Sequence, residues 1–136
     1  MKKVLFLIMY VLLFQSISSP QTGWFQQQSG TTENYFDSYF ISSSTGWLAG
    51  SSTIIYKTTN SGTNWMSKSL GIAQYTITGV FFANSLTGWV CGGNPYPYNI
   101  IYKTTNGGDN WTIQTPSINY LLWGIYFLNS QTGWAC

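Results

Sequence analysis

The feature that most constrains this chain is an internal repeat. Ile54-Ile55-Tyr56-Lys57-Thr58-Thr59-Asn60-Ser61-Gly62-Thr63-Asn64-Trp65 returns as Ile100-Ile101-Tyr102-Lys103-Thr104-Thr105-Asn106-Gly107-Gly108-Asp109-Asn110-Trp111, at an offset of 46 residues. A second element occurs three times: Tyr39-Phe40-Ile41 before Thr45-Gly46-Trp47, Phe81-Phe82-Ala83 before Thr87-Gly88-Trp89, and Tyr126-Phe127-Leu128 before Thr132-Gly133-Trp134. Steps of 23, 24 and 23 residues separate Trp24 from Trp47, Trp65 from Trp89 and Trp111 from Trp134, so Trp24 closes a preceding unit. A period of this length means propeller blades, helical pairs or solenoid coils.

Composition decides among them. The segments are short, rich in β-branched and aromatic residues, and interrupted about every ten positions by Gly, Asn, Ser or Thr, which is the pattern of strands and turns. Four strands can be marked per unit. In the first they fall near 35–41, 46–50, 52–58 and 64–69; in the second near 78–83, 88–92, 99–104 and 110–115. A four-stranded antiparallel sheet cannot bury both faces alone and must stack on like neighbours. The expected fold is therefore all-β: a β-propeller of four-stranded antiparallel blades, with units at about residues 24–65, 66–111 and a truncated 112–136. Since propellers close with 4–8 blades, two and a half to three blades make an incomplete ring, and the chain reads as the N-terminal fragment of a longer protein.

The first 18 residues are set apart from the fold as a signal peptide. Lys2 and Lys3 precede an apolar run from Val4 to Phe14, followed by the polar stretch Gln15-Ser16-Ile17-Ser18-Ser19. Eleven residues at 1.5 Å each fall short of a bilayer core of about 30 Å, so the run is a signal core and no stable membrane span is expected after cleavage near Ser18. A secreted, periplasmic or cell-envelope location follows. The remaining charges, Lys57, Lys68 and Lys103 against Glu33, Asp37 and Asp109, balance. That leaves no basic patch for nucleic acid. The chain is 18% aromatic, which argues against disorder in spite of the low charge.

The Thr-x-Asn-x-Gly-x-Asn-Trp segments, at Thr58, Asn60, Gly62, Asn64 and Trp65 and at Thr104, Asn106, Gly108, Asn110 and Trp111, resemble the Asp-box or sialidase-type (BNR) repeat. Together with the Gly-Trp strands they are most similar to the photosystem II stability and assembly factor family. The resemblance implies a propeller acting as an assembly scaffold; the arginine-lined contact surface of that family has no counterpart here, since the chain has no arginine, so photosystem binding is not carried over. Residue chemistry gives the motif a structural meaning. Asn60 and Asn106 fold a side-chain oxygen onto nearby amides, Gly62 and Gly108 take positive φ, and Trp65 and Trp111 seal the blade end. One amide oxygen per loop is far from the 6–8 oxygens of a calcium site, and no metal or cofactor is expected.

Enzymatic chemistry has little to work with. All five basic residues are lysines and histidine is absent, which removes bidentate carboxylate recognition, His-dependent triads and most transition-metal sites. Glu33 and Asp37 are close enough in sequence for a carboxylate pair, but read as a solvated loop pair. Cys91 and Cys136 occupy equivalent positions of successive units, where Ala49 stands in the first, and read as small unbonded buried thiols. Lys57 and Lys103 recur and read as blade construction. The unrepeated feature is a four-residue extension forming the loop Gly93-Asn94-Pro95-Tyr96-Pro97-Tyr98, whose Tyr96 and Tyr98 are the candidate contacts for a protein or glycan. The functional expectation is a non-enzymatic exported interaction scaffold. A carbohydrate-binding propeller, and a glycosidase whose catalytic residues lie in further blades, stay open as alternatives.

Overall fold

The computed structural model describes residues 23, 26–72, 75–94, 98–114 and 120–136, and within them three antiparallel sheets and no helix. The signal segment and Trp24 lie outside the described residues. The first sheet has the order β1 (Tyr35–Phe40), β2 (Gly46–Gly50), β3 (Ile54–Thr58), β4 (Met66–Ser69). The second repeats it with β5 (Thr76–Phe82), β6 (Gly88–Asn94), β7 (Tyr98–Thr104) and β8 (Thr112–Ile113). The third pairs β9 (Ile125–Phe127) with β10 (Gly133–Ala135). These are the blades that the repeat implies, and the fold is an all-β propeller.

Strand boundaries shift by a residue or two from the sequence expectation, β3 starting at Ile54 and β5 at Thr76, and at two places the difference has a clear local reason. β4 and β8 start after Trp65 and Trp111, because the preceding Asn64 and Asn110 amides are held by the turn and not by a sheet ladder. In the second blade the four extra residues do not make a long loop. They extend the β6–β7 ladder through Gly93↔Asn99 to Asn94↔Tyr98. Gly93, Asn94 and Tyr98 are therefore strand residues, and Tyr96 lies outside the described residues.

Register determines what the blades show each other. Tyr39, Trp47 and Lys57 stand directly opposite one another across β1, β2 and β3, so they share a face; Phe81, Trp89 and Lys103 do so in the second blade. The adjacent row, Phe40, Gly46 and Thr58 or Phe82, Gly88 and Thr104, points the other way. Stacking then alternates the rows. Trp47 is fully buried face to face on Phe82, with centroids 3.5 Å apart and planes at 7°. Trp89 lies likewise on Phe127, at 3.7 Å and 11°. Ring quadrupoles alone disfavour a sandwich. It is imposed here because each phenylalanine lies flat on the glycine of its own blade: a Cβ on Gly88 would meet the Phe82 ring at 2.5 Å, and Gly46 and Gly133 stand in the same relation to Phe40 and Phe127. Ile55, Ala49, Ile77, Val80, Val90, Ile100 and Tyr102 complete the core between the first two blades.

Candidate interaction surface

Both turns closing a blade, Thr58–Trp65 and Thr104–Trp111, have the same internal geometry. The Thr58 hydroxyl, fully buried, accepts from the Gly62 amide at 2.9 Å and the Asn60 amide at 3.2 Å, and donates to Asn60 Oδ1 at 3.0 Å. Asn60 Oδ1 in turn accepts from the Asn64 amide at 2.9 Å. Thr104, Asn106, Gly108 and Asn110 reproduce the four bonds to within 0.1 Å. Gly62 and Gly108 take φ of 82° and 94°, as the sequence requires. The threonine's place at the centre was not read from the motif: two of the four bonds are amides donating to its oxygen. Trp111 donates its indole N–H to Gly108 O at 3.1 Å and packs edge-on to Phe82, while Trp65 packs edge-on to Phe40.

The turn of the second blade is gripped from the first. Trp47 Nε1 donates to Gly107 O at 3.3 Å, and Lys57 Nζ to the same oxygen at 3.1 Å while lying 5.4 Å over the Trp47 ring. The Gly107 amide donates to Leu86 O at 2.8 Å, so both polar groups of one residue, held at φ 73°, are engaged. Lys68 Nζ bonds Asp109 Oδ1 at 2.5 Å, and that hydrogen bond, with the lysine's charge, holds the Asp109 carboxyl below its ordinary value. Lys57 is thus a blade-joining residue, as its recurrence suggested. The signal for the grip was present in the sequence as two repeated residues, Trp and Lys, that the register places side by side.

The two other carboxylates are also occupied structurally. Asp37 is not in a loop with Glu33: it sits on β1 and accepts from the Val80 amide of the next blade at 2.8 Å. Glu33 accepts from the Ser51 hydroxyl at 2.6 Å. Among the described residues no three His, Cys, Asp or Glu side chains are grouped as a metal site. Cys91 and Cys136 are unbonded; Cys91 is buried, which pushes its thiol up to about 12, whereas Cys136 is exposed, with no further described strand beside β10. Tyr98 is placed by backbone pairing with Asn94 at the end of the lengthened hairpin. Tyr98 and Thr104 are the two ends of β7, so the lengthened end of the ladder and the turn held by the blade-joining grip lie at opposite ends of that strand.

Two of the concavities beside the blades bear on the repeat. One, of about 540 Å³, lies on the first blade against Tyr35, Phe40, Leu48, Ser61 and Trp65. The other, of about 420 Å³, lies between the second blade and β9–β10 against Trp89, Lys103, Gln114 and Phe127. Phe40 and Phe127 are the repeat equivalents of Phe82, which carries Trp47 and touches Trp111. Both hollows are consequently blade seats by position in the repeat.

Four-stranded antiparallel blades stacked through a Trp–Phe sandwich, each closed by the same threonine-centred turn, define a β-propeller of the BNR type. A family model described as photosynthesis system II assembly factor YCF48 matches residues 17–120, and the chain belongs to that family. A solved structure described as YCF48 bound to D1 peptide is similar with a TM-score of 0.68 and 27% identity, over 79% of this chain. The chain spans 36% of the length of that protein. No curated protein sequence matches it.

Proposed function

We propose that this chain is part of an exported, non-catalytic propeller that holds a segment of a partner protein during assembly of a larger complex. Family membership carries the reading, and the solved relative that contains a bound D1 peptide supports a protein segment as the ligand. The engagement of Glu33, Asp37 and Asp109 in structural bonds supports a scaffold over a glycosidase. Lys2, Lys3 and the apolar run Val4–Phe14 support export. Among the described residues no helix is long and apolar enough to cross a membrane. The turns at Thr58–Trp65 and Thr104–Trp111 act as Asp-boxes with Asn in the place of Asp, and the tip bearing Tyr96 and Tyr98 contributes to the contact.

Titration of a fluorescently labelled D1 peptide against the purified chain tests this directly. Saturable binding, weakened in a Tyr96→Ala/Tyr98→Ala variant, is expected. Absence of binding together with specific retention on a glycan array would replace the proposal with the carbohydrate-binding alternative. Mass measurement of the exported product, expected to begin just after Ser18, tests the signal segment.

A further inference from the structure

The packing of the first junction dictates a dipeptide with chemistry of its own. At residue 107 a Cβ would strike Ser85 O and Lys57 Nζ, and the backbone stands at φ 73°, so the position requires glycine. At residue 106 the turn requires a side-chain oxygen that accepts from the Asn110 amide and the Thr104 hydroxyl, at 2.9 and 3.0 Å. Here that residue is asparagine, and of all the asparagines in the chain Asn106 alone precedes a glycine. In an open chain, glycine leaves the backbone nitrogen that follows the asparagine unhindered, free to reach the carboxamide carbon; the Ser61 side chain obstructs the same approach after Asn60. The closed joint prevents it. Gly107 is buried, its amide donates to Leu86 O at 2.8 Å, and its carbonyl is held by Trp47 Nε1 and Lys57 Nζ, so both peptide units flanking its Cα are fixed.

We propose that Asn106–Gly107 is a covalent modification site, silent in the assembled joint and converted to an aspartyl or isoaspartyl linkage when the second turn leaves the first blade. In the open turn the Gly107 nitrogen bonds to Asn106 Cγ, the Cγ–Nδ2 bond breaks, and Nδ2 departs as ammonia with the former amide proton. Water then adds to the resulting five-membered imide. Cleavage between the ring nitrogen and Cγ leaves an ordinary aspartate; cleavage at the main-chain carbonyl carbon of residue 106 leaves isoaspartate, with the backbone running through Cβ and Cγ. The two products have opposite fates. Among the described residues every hydrogen bond of the Asn106 side chain is made by its oxygen, so an aspartate keeps both donors and strengthens them with its charge. Isoaspartate adds one methylene to the main chain just before Gly107, so the Gly107 amide and carbonyl no longer meet Leu86, Trp47 and Lys57 together. The chain then carries a lasting mark that this junction has opened.

The test incubates the intact chain beside a linear peptide of residues 103–111 at mildly alkaline pH, where the amide proton is most readily lost. Peptide mapping reads the replacement of the amide NH2 by OH as a mass gain at Asn106, and an isoaspartate-specific methyltransferase labels the isoaspartyl fraction. The linear peptide should convert, and the intact chain at least about tenfold more slowly, because only its open fraction reacts. Lys57→Ala removes one donor to Gly107 O and should speed conversion in the intact chain about fivefold, the scale of one hydrogen bond at a partly exposed site. Trp47→Phe, which keeps a ring over Phe82 and removes the indole donor, should act in the same direction. Asn60 is the internal control and should stay intact over the same interval. Asn106→Asp should fold with a urea midpoint at neutral pH no lower than the parent's. A linear peptide that stays intact, equal rates in peptide and intact chain, a Lys57→Ala rate identical to the parent's, or conversion at Asn60 as fast as at Asn106 would overturn the assignment.

Discussion

Thr58→Val is the most informative single change, because valine matches threonine in shape and removes only the hydroxyl. Three bonds are lost. The Gly62 amide is buried and has no other acceptor in the turn, so it carries a desolvation cost of about 1–3 kcal/mol. The Asn60 amide is part-buried and loses about 0.5–1 kcal/mol, and Asn60 Oδ1 loses one donor but keeps the Asn64 amide, worth about 0.5 kcal/mol. Against this, the added methyl gains under about 1 kcal/mol at a fully buried position. The net expectation is a destabilisation of about 2–3 kcal/mol, read as a shift in the urea midpoint at constant slope by tryptophan fluorescence. Thr104→Val should cost the same within about 0.5 kcal/mol, because its bonds have the same lengths. The neighbouring exposed Thr59→Val should change stability by under about 0.5 kcal/mol. If Thr58→Val fell within the range of that control, the hydroxyl would not be the centre of the turn, and the reasoning would be wrong.

Gly88→Ala should destabilise by about 2 kcal/mol, since the Phe82 ring that its Cβ would strike is pinned by Trp47, whereas at Gly46 the ring is the exposed Phe40, which can turn aside, so Gly46→Ala should cost under about 1 kcal/mol; equal costs in thermal melts would contradict the packing account. Asp109 has a lowered folded pKa, so its contribution is present above the ordinary value of 3.8 and disappears as pH falls through the lowered one. A Lys68→Met variant should therefore show a flatter acid limb in urea midpoints, and an unchanged limb would mean the pair is broken in solution. Cys91 behaves oppositely: its folded pKa is raised from 9.0 to about 12, so stability is full below 9.0 and declines as pH rises toward about 12. Cys91→Ala, which copies Ala49 of the first blade, should remove that decline, and a disulfide-exchange reagent at about pH 8 should titrate Cys136 in the native protein but not Cys91.

The blades were legible in the sequence because two kinds of tryptophan recur at nearly fixed spacing, and strand periodicity between them leaves few alternatives. The turn was legible in outline: Asn60, Gly62 and their equivalents were assigned from residue chemistry. Thr58 was not, since a threonine ending a strand looks like any β-branched residue until the chain curls back on its hydroxyl. Nor does sequence reveal that Asp37 reaches the Val80 amide, because that contact depends on the stacking distance between sheets and on a bulge between Tyr35 and Asp37. The hairpin extension was visible as four extra residues, but its conversion into ladder depended on the backbone pairing of Asn94 with Tyr98.

The way Gly107 is held also bears on how such a protein can change over generations. Trp47, Lys57 and Leu86 take hold of the main chain at Gly107, where a Cβ would meet Ser85 O at 2.8 Å and Lys57 Nζ at 2.9 Å, so the joint reserves that one position for glycine and asks nothing of the side chains around it. The next surface position of the turn already differs, Thr63 in the first blade and Asp109 in the second. A joint built in this manner lets the exposed positions beside the glycine accumulate substitutions, and with them new surface chemistry on that rim, while the wheel stays assembled.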